Sequence, residues 1–202
     1  MKAFTKLQQE KMTPKVALNR LLDGNKRFTE QMQVERDLRT QVSATAKGQF
    51  PFAAILSCID SRVPVEIVFD QGIGDLFSAR VAGNIVNIDI LGSLEYATRV
   101  AGSKLVVVMG HTKCGAVTAA CQNVELGNIT SLLSKIKPAI ALCETNSSTG
   151  KLSVENVAVE NVRVSIENLR TESPILAEME QQGLIQIVGA MYDVSSGIVS
   201  VL

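Results

Sequence analysis

The chain has 202 residues, 20 basic and 20 acidic side chains, a hydrophobic fraction of 46% and four cysteines. That length fits one domain whose core needs no disulfide staples. The balanced charge and the absence of any basic run argue against nucleic acid or an anionic membrane as partner, and favour a small neutral or locally steered substrate. No apolar stretch is long enough to span a bilayer. The polar N-terminal stretch Met1–Glu10 lacks the apolar segment of a secretory signal, so a cytoplasmic location is expected.

Thr13-Pro14 reads as a helix start, an N-cap hydroxyl followed by proline in the first turn. That helix is expected to run through Leu22 and to break near Asp23-Gly24. Residues 24–48 are polar, with apolar anchors such as Phe28 and Leu38, and read as a helical arm. The core begins with the apolar run Phe52–Leu56 and continues with Leu76–Val81, Leu105–Met109 and Gly183–Ala190. Unalternated runs of this length suit strands buried on both faces, as in a parallel sheet. Helical patterns occupy 64–69, 88–100, 116–122, 129–142 and 154–169. The alternation predicts an α/β fold with right-handed crossovers. Turn chemistry at Asp193–Gly197, between two β-prone runs, predicts a terminal hairpin. The expectation is therefore one domain over 1–202. It has a helical arm over 1–48 and, over 49–202, a mainly parallel central sheet flanked by helices and closed by a β-hairpin. Cys121 and Cys143 are expected to be ordinary buried cysteines.

Chemistry concentrates in two short stretches. Cys58-Ile-Asp60-Ser-Arg62 follows the first expected strand, and His111-Thr-Lys-Cys114 follows the third. His111 is the only histidine in the chain. Zinc prefers thiolate and imidazole ligands, and a catalytic site needs three of them plus an open position. Cys58, His111 and Cys114 supply that set. In parallel sheets ligands bind beyond the carboxyl ends of strands, so both stretches should meet at one edge of the sheet. Gly110 and Gly115 bracket the second stretch and permit close backbone approach. Asp60 and Arg62 could be a surface ion pair of little energetic value. Beside zinc, Asp60 could instead orient a metal-bound hydroxide or swing onto the metal, with Arg62 holding it off by a two-point contact. The C-x3-R spacing is too short for a cysteine phosphatase loop. Gly72-Ile-Gly74 lacks the third glycine of a dinucleotide fingerprint.

Cys58-x-Asp60-x-Arg62 with His111-x-x-Cys114-Gly115 resembles the β-class carbonic anhydrases. The likeness extends from Leu22–Phe28 through Asp75–Phe77 and Leu94–Ala97 to Val188–Asp193. The resemblance implies reversible hydration of carbon dioxide to bicarbonate and a proton. It implies one zinc ion per chain, bound by Cys58, His111 and Cys114, with Asp60 as a fourth ligand only in a closed, inactive form. Asp60 and Arg62 would be catalytic. Gln49 would hydrogen-bond substrate, Phe77 and Tyr96 would line the apolar carbon dioxide pocket, and Gly115 would present backbone near the reacting oxygen. Gln49, Phe77 and Tyr96 would come from a neighbouring subunit, so a homodimer or a dimer of dimers is expected. Family members regulated by bicarbonate use a tryptophan, an arginine and a tyrosine in a second, noncatalytic pocket. Ile55 stands at the tryptophan position and Arg80 at the arginine, which argues against that inhibition here. A histidine proton shuttle is excluded, because no second histidine exists. Two rival readings keep the metal: hydrolysis of carbonyl sulfide or carbon disulfide, and noncatalytic binding of zinc or bicarbonate.

Overall fold

A computed structural model describes residues 3–146 and 153–202. Three helices lead in: α1 (Lys6–Glu10), α2 (Pro14–Thr29) and α3 (Leu38–Thr45). The core then alternates β1 (Ala53–Ser57), α4 (Val65–Val68), β2 (Leu76–Arg80), α5 (Ile88–Glu95) and β3 (Leu105–His111). Four helices follow, α6 (Gly115–Cys121), α7 (Gly127–Ser134), α8 (Lys137–Asn146) and α9 (Val154–Glu172). The chain closes with α10 (Pro174–Gln181), β4 (Gln186–Tyr192) and β5 (Val199–Val201). The five strands form one sheet in the order β2-β1-β3-β4-β5. All pairings are parallel except the terminal β4–β5 hairpin. Every residue of β1 and β3 is buried, which explains their unbroken apolar sequence. Among the described residues, no helix is long and apolar enough to cross a membrane.

The expected strands and the hairpin are present. The helices depart from expectation in four places. The first helix does not break at Gly24 but continues to Thr29. Gly24 is there for closeness: a Cβ on it would lie 1.8 Å from the carbonyl oxygen of Phe69. The next residue, Asn25, donates from Nδ2 to the carbonyls of Val68 (3.1 Å) and Gly197 (2.8 Å) and accepts from the Val199 amide (2.9 Å). Together they pin α2 to the end of α4 and to the terminal hairpin, and Ala17 and Leu21 of α2 lie in the main core cluster. Gly24→Ala should therefore cost about 3 kcal/mol, the upper range for overpacking, because the clashing partner is backbone that cannot rotate away. Urea unfolding at fixed protein concentration would measure this, and a loss under about 1 kcal/mol would contradict the close approach.

The expected helix over 129–142 is two helices, α7 and α8, broken before Pro138, whose missing N–H cannot continue the first and suits the first turn of the second. The 88–100 pattern begins as α5 and finishes as a π-turn over Tyr96–Val100. The helix α10 was outside the expected set, although Ser173-Pro174 carries the same start signal as Thr13-Pro14. The Ser173 hydroxyl accepts from the Leu176 amide at 3.2 Å. Cys121 and Cys143 are free and only partly buried, on the outer helices α6 and α8 at the margin of the third core cluster.

Candidate metal centre

The strands bring the two motifs together at one edge. Ser57 ends β1 and pairs with Met109 of β3, so Cys58 emerges beside Gly110 and His111. Gly110 is required by packing, since a Cβ there would meet Val162 Cγ2 at 2.7 Å and the sulfur of Met191 at 2.8 Å. After His111 the chain turns sharply through Lys113, a non-glycine residue at φ 56°. Its amide is held by Glu155 Oε1 at 3.0 Å. Cys114 then caps α6, and Gly115 opens that helix with free space where a Cβ would stand.

The side-chain ligand atoms of Cys58, His111 and Cys114 lie within 4.8 Å of one another, and all three residues are buried. His111 Nδ1 faces the Thr112 carbonyl oxygen at 2.9 Å and can only donate there, which assigns its proton to Nδ1. The other nitrogen, Nε2, is a buried acceptor with no hydrogen-bond partner among the described residues. Burying such an atom without a partner is costly. A cation shared with two thiolates would satisfy it, and the sulfur and nitrogen donor set is one that zinc favours. The two sulfurs lie against each other, and their contact pulls the Cys58 thiol down and pushes the Cys114 thiol up. Burial presses the His111 imidazole down, but the adjacent Cys58 sulfur and the Thr112 carbonyl outweigh it, and the net direction is upward.

Asp60 stands at the mouth of this cluster. Its Oδ2 is 3.9 Å from His111 Nε2. The Arg62 guanidinium grips it at two points, Nε to Oδ1 at 2.9 Å and Nη2 to Oδ2 at 2.8 Å, and the Arg62 amide adds a third bond to Oδ1 at 2.9 Å. These bonds to Arg62 hold the carboxyl well below the usual carboxylate range, so it is ionised. Arg80 braces the same loop from β2, donating to the carbonyls of Cys58 (3.0 Å) and Asp60 (2.5 Å). Ile55, at the position of the absent tryptophan, is fully buried in the core.

The other expected residues are elsewhere in the chain. Phe77 pairs with Ala54 near the amino end of β1, and Cys58 lies four residues further on. At about 3.3 Å per residue, roughly 13 Å along the strand separates them. Phe77 and Tyr96 do meet each other, edge to face, with ring centroids 6.3 Å apart. They line a cavity of about 640 Å³ with Ala54, Ile88 and Leu94. Gln49 is exposed in the loop before β1, at the same amino end. One chain thus separates the cluster of Cys58, Asp60, Arg62, His111, Cys114 and Gly115 from the set of Gln49, Phe77 and Tyr96. Sequence reading assigned no part to Gly83, whose amide donates to Cys58 Sγ at 3.3 Å. The Gly83-Asn84 dipeptide, a turn signal, was the only hint of this bend.

A family model described as carbonic anhydrase matches residues 53–199. The chain is 34% identical over 191 residues to a carbonic anhydrase of Mycolicibacterium smegmatis, covering 91% of each chain. It is also 34% identical over 190 residues to carbonic anhydrase 2 of Mycobacterium tuberculosis, covering 91% of this chain and 90% of that one. Among solved structures, a β-carbonic anhydrase of Aspergillus fumigatus superposes with a TM-score of 0.73 at 30% identity over 92% of this chain and 90% of that one. A tetrameric β-carbonic anhydrase of Sordaria macrospora gives 0.72 at 25% identity, over 79% and 84% respectively. Sequence, sheet order and the cysteine–histidine–cysteine cluster agree, and the chain belongs to the β-class carbonic anhydrases, enzymes that hydrate carbon dioxide reversibly.

Proposed function

We propose that Cys58, His111 and Cys114 hold one zinc ion, and that Asp60, fixed by Arg62, orients the water that adds to carbon dioxide to give bicarbonate and a proton. The observation that carries this reading is the buried His111 Nε2, without a hydrogen-bond partner among the described residues, beside two cysteine sulfurs and with an ionised carboxylate 3.9 Å away. Zinc in such a site supplies Lewis acidity, lowering the pKa of a water from 15.7 to about 7. An ionised carboxylate can only accept hydrogen bonds. Asp60 therefore fixes where the attacking water directs its proton, and so where it directs its lone pair. Arg62 keeps the carboxylate from rotating toward the cluster, and Arg80 holds the loop that carries both. The only histidine belongs to the ligand set, so protons must leave through solvent, buffer or other side chains.

Carbon dioxide is apolar, and the Phe77–Tyr96 cavity suits it. Because that cavity is remote from the cluster within one chain, the reading includes a homodimer, or a dimer of dimers, in which each chain lends Gln49, Phe77 and Tyr96 to its neighbour. The large exposed apolar side chains Ile88, Tyr96 and Val100, which are 79%, 53% and 70% exposed, support an interface on this side of the sheet.

Asp60→Asn keeps shape but removes the charge and replaces one acceptor oxygen by an NH2 donor. We expect it to retain one zinc per chain while hydration turnover falls about 100-fold, the scale of a lost orienting contact. Stopped-flow hydration with zinc analysis of the same sample decides the matter. Full turnover would remove Asp60 from the mechanism.

A further inference from the structure

The Cys58 sulfur is held by a chain of contacts that reaches the far helix α9. Gly83 donates its amide to Cys58 Sγ at 3.3 Å. It does so because the 3-10 turn Ala82–Asn84 bends through two consecutive left-handed residues, Gly83 at φ 68° and Asn84 at φ 44°. Such a turn is not self-supporting: a non-glycine residue at positive φ carries strain that its surroundings must hold. The holding groups lie on α9. Asn161 Nδ2 donates to the Gly83 carbonyl at 2.7 Å, and the Ser165 hydroxyl donates to the Asn84 carbonyl at 3.1 Å. Both side chains are almost fully buried, at 1% and 2% exposure. Ile136 packs closely on the turn: a Cβ on Gly83 would lie 2.8 Å from Ile136 Cδ1.

Asn161 meets only half of its own hydrogen-bonding capacity here. Its own carbonyl oxygen, Oδ1, is buried with no hydrogen-bond partner among the described residues. A buried acceptor left without a partner is unfavourable, so the side chain is placed for the one bond it makes, to the Gly83 carbonyl. We infer that Asn161 and Ser165 are positioning residues for the metal centre, fixing the Gly83 amide so that it donates to the Cys58 sulfur. Groups that hydrogen-bond a metal ligand set its orientation and its donor strength, and their removal costs about 10–100-fold in metal affinity or activity. Asn161 touches neither substrate nor ligand atom and acts only through the Gly83 peptide.

The inference rests on the reading that Cys58, His111 and Cys114 hold zinc. Its test is zinc affinity by chelator competition on the full chain, with the thiolate-to-metal charge-transfer band of the cobalt-substituted protein as a second readout. For Asn161→Leu we expect a folded protein whose zinc affinity falls about 10-fold or more, with the cobalt band moved to longer wavelength as the sulfur loses its hydrogen bond. Ser165→Ala should shift both readouts in the same direction by less, and decides the question alone should Asn161→Leu not fold. Unchanged zinc affinity and an unmoved cobalt band would overturn the inference, even alongside reduced stability, because a purely structural role moves only stability. Failure of the wild-type chain itself to bind zinc would overturn the metal reading instead.

Discussion

Cys58→Ser is expected to yield a folded chain with no retained zinc and no hydration above the uncatalysed rate. A serine hydroxyl does not ionise near neutral pH, so the site loses a thiolate donor and keeps two poorly anchored ligands. Without the metal, the pKa of the attacking water returns toward 15.7 from about 7, roughly nine units, and no remaining side chain in the cluster makes up that deficit. The same substitution at Cys121 or Cys143 should leave zinc content and turnover unchanged, because those thiols sit on the outer helices α6 and α8 apart from the ligand cluster. Zinc analysis after exhaustive dialysis, paired with stopped-flow hydration, separates the cases. A Cys58→Ser protein with one zinc per chain and wild-type turnover would remove Cys58 from the ligand set.

The second large effect is on stability. The Asp70 side chain, 2% exposed, accepts from Arg27 Nε at 2.6 Å, from Arg36 Nη1 and from the Val34 amide at 3.3 Å. Its backbone carbonyl takes a further bond from Arg36 at 2.5 Å. Asp70 also sits at φ 45°, so the side-chain bonds hold a strained turn after α4. Asp70→Asn leaves the Arg36 guanidinium buried without its counter-charge and should cost about 3–5 kcal/mol at pH 7. Burial pushes the Asp70 carboxyl upward, but the bonds from Arg36, Arg27 and Val34 outweigh it, and the net direction is downward. A carboxyl depressed in the folded state binds its proton more readily when unfolded. Its stabilisation is therefore complete above the unfolded pKa, about 3.9, and drains away as pH falls through the lower folded value. The gap between wild type and Asp70→Asn in urea unfolding, at fixed protein concentration, should be widest near neutrality and narrow below about pH 4. A gap under 1 kcal/mol at pH 7, or one that does not change with pH, would show that the network is idle.

These cases show what can be read from sequence here. Strands β1 and β3 were legible because burial on both faces leaves an unbroken apolar run. The cluster of Cys58, His111 and Cys114 was legible because sulfur and imidazole in short spacings, each after a strand, point to one sheet edge. Asp60 and Arg62 are two residues apart and announce themselves as a pair. Gly24 was misread as a helix break because its reason is the Phe69 carbonyl, 45 residues away in sequence and in contact only after folding. The same holds for the Asp70–Arg27–Arg36 network and for Asn161, whose partners are fixed by topology and leave no local pattern. Gln49, Phe77 and Tyr96 entered the reading only through family resemblance, and within one chain they do not reach the cluster.

The ligand positions have a further meaning for the chain as a polymer. Cys58 and His111 leave neighbouring strands 53 residues apart in sequence, and of the stretch between them β2 forms the outer edge of the sheet before the chain returns to the centre as β3. An ion bridging the two is a reversible cross-link that closes this loop, and free energy gained on binding it is free energy of folding. Demetallation would then be felt first as a loosening of that edge, a local opening below the threshold of global unfolding. The strand so released, β2, is an edge strand whose unpaired amides and carbonyls can template association with other chains. Metal supply would thus govern the solubility of this protein as well as its catalysis.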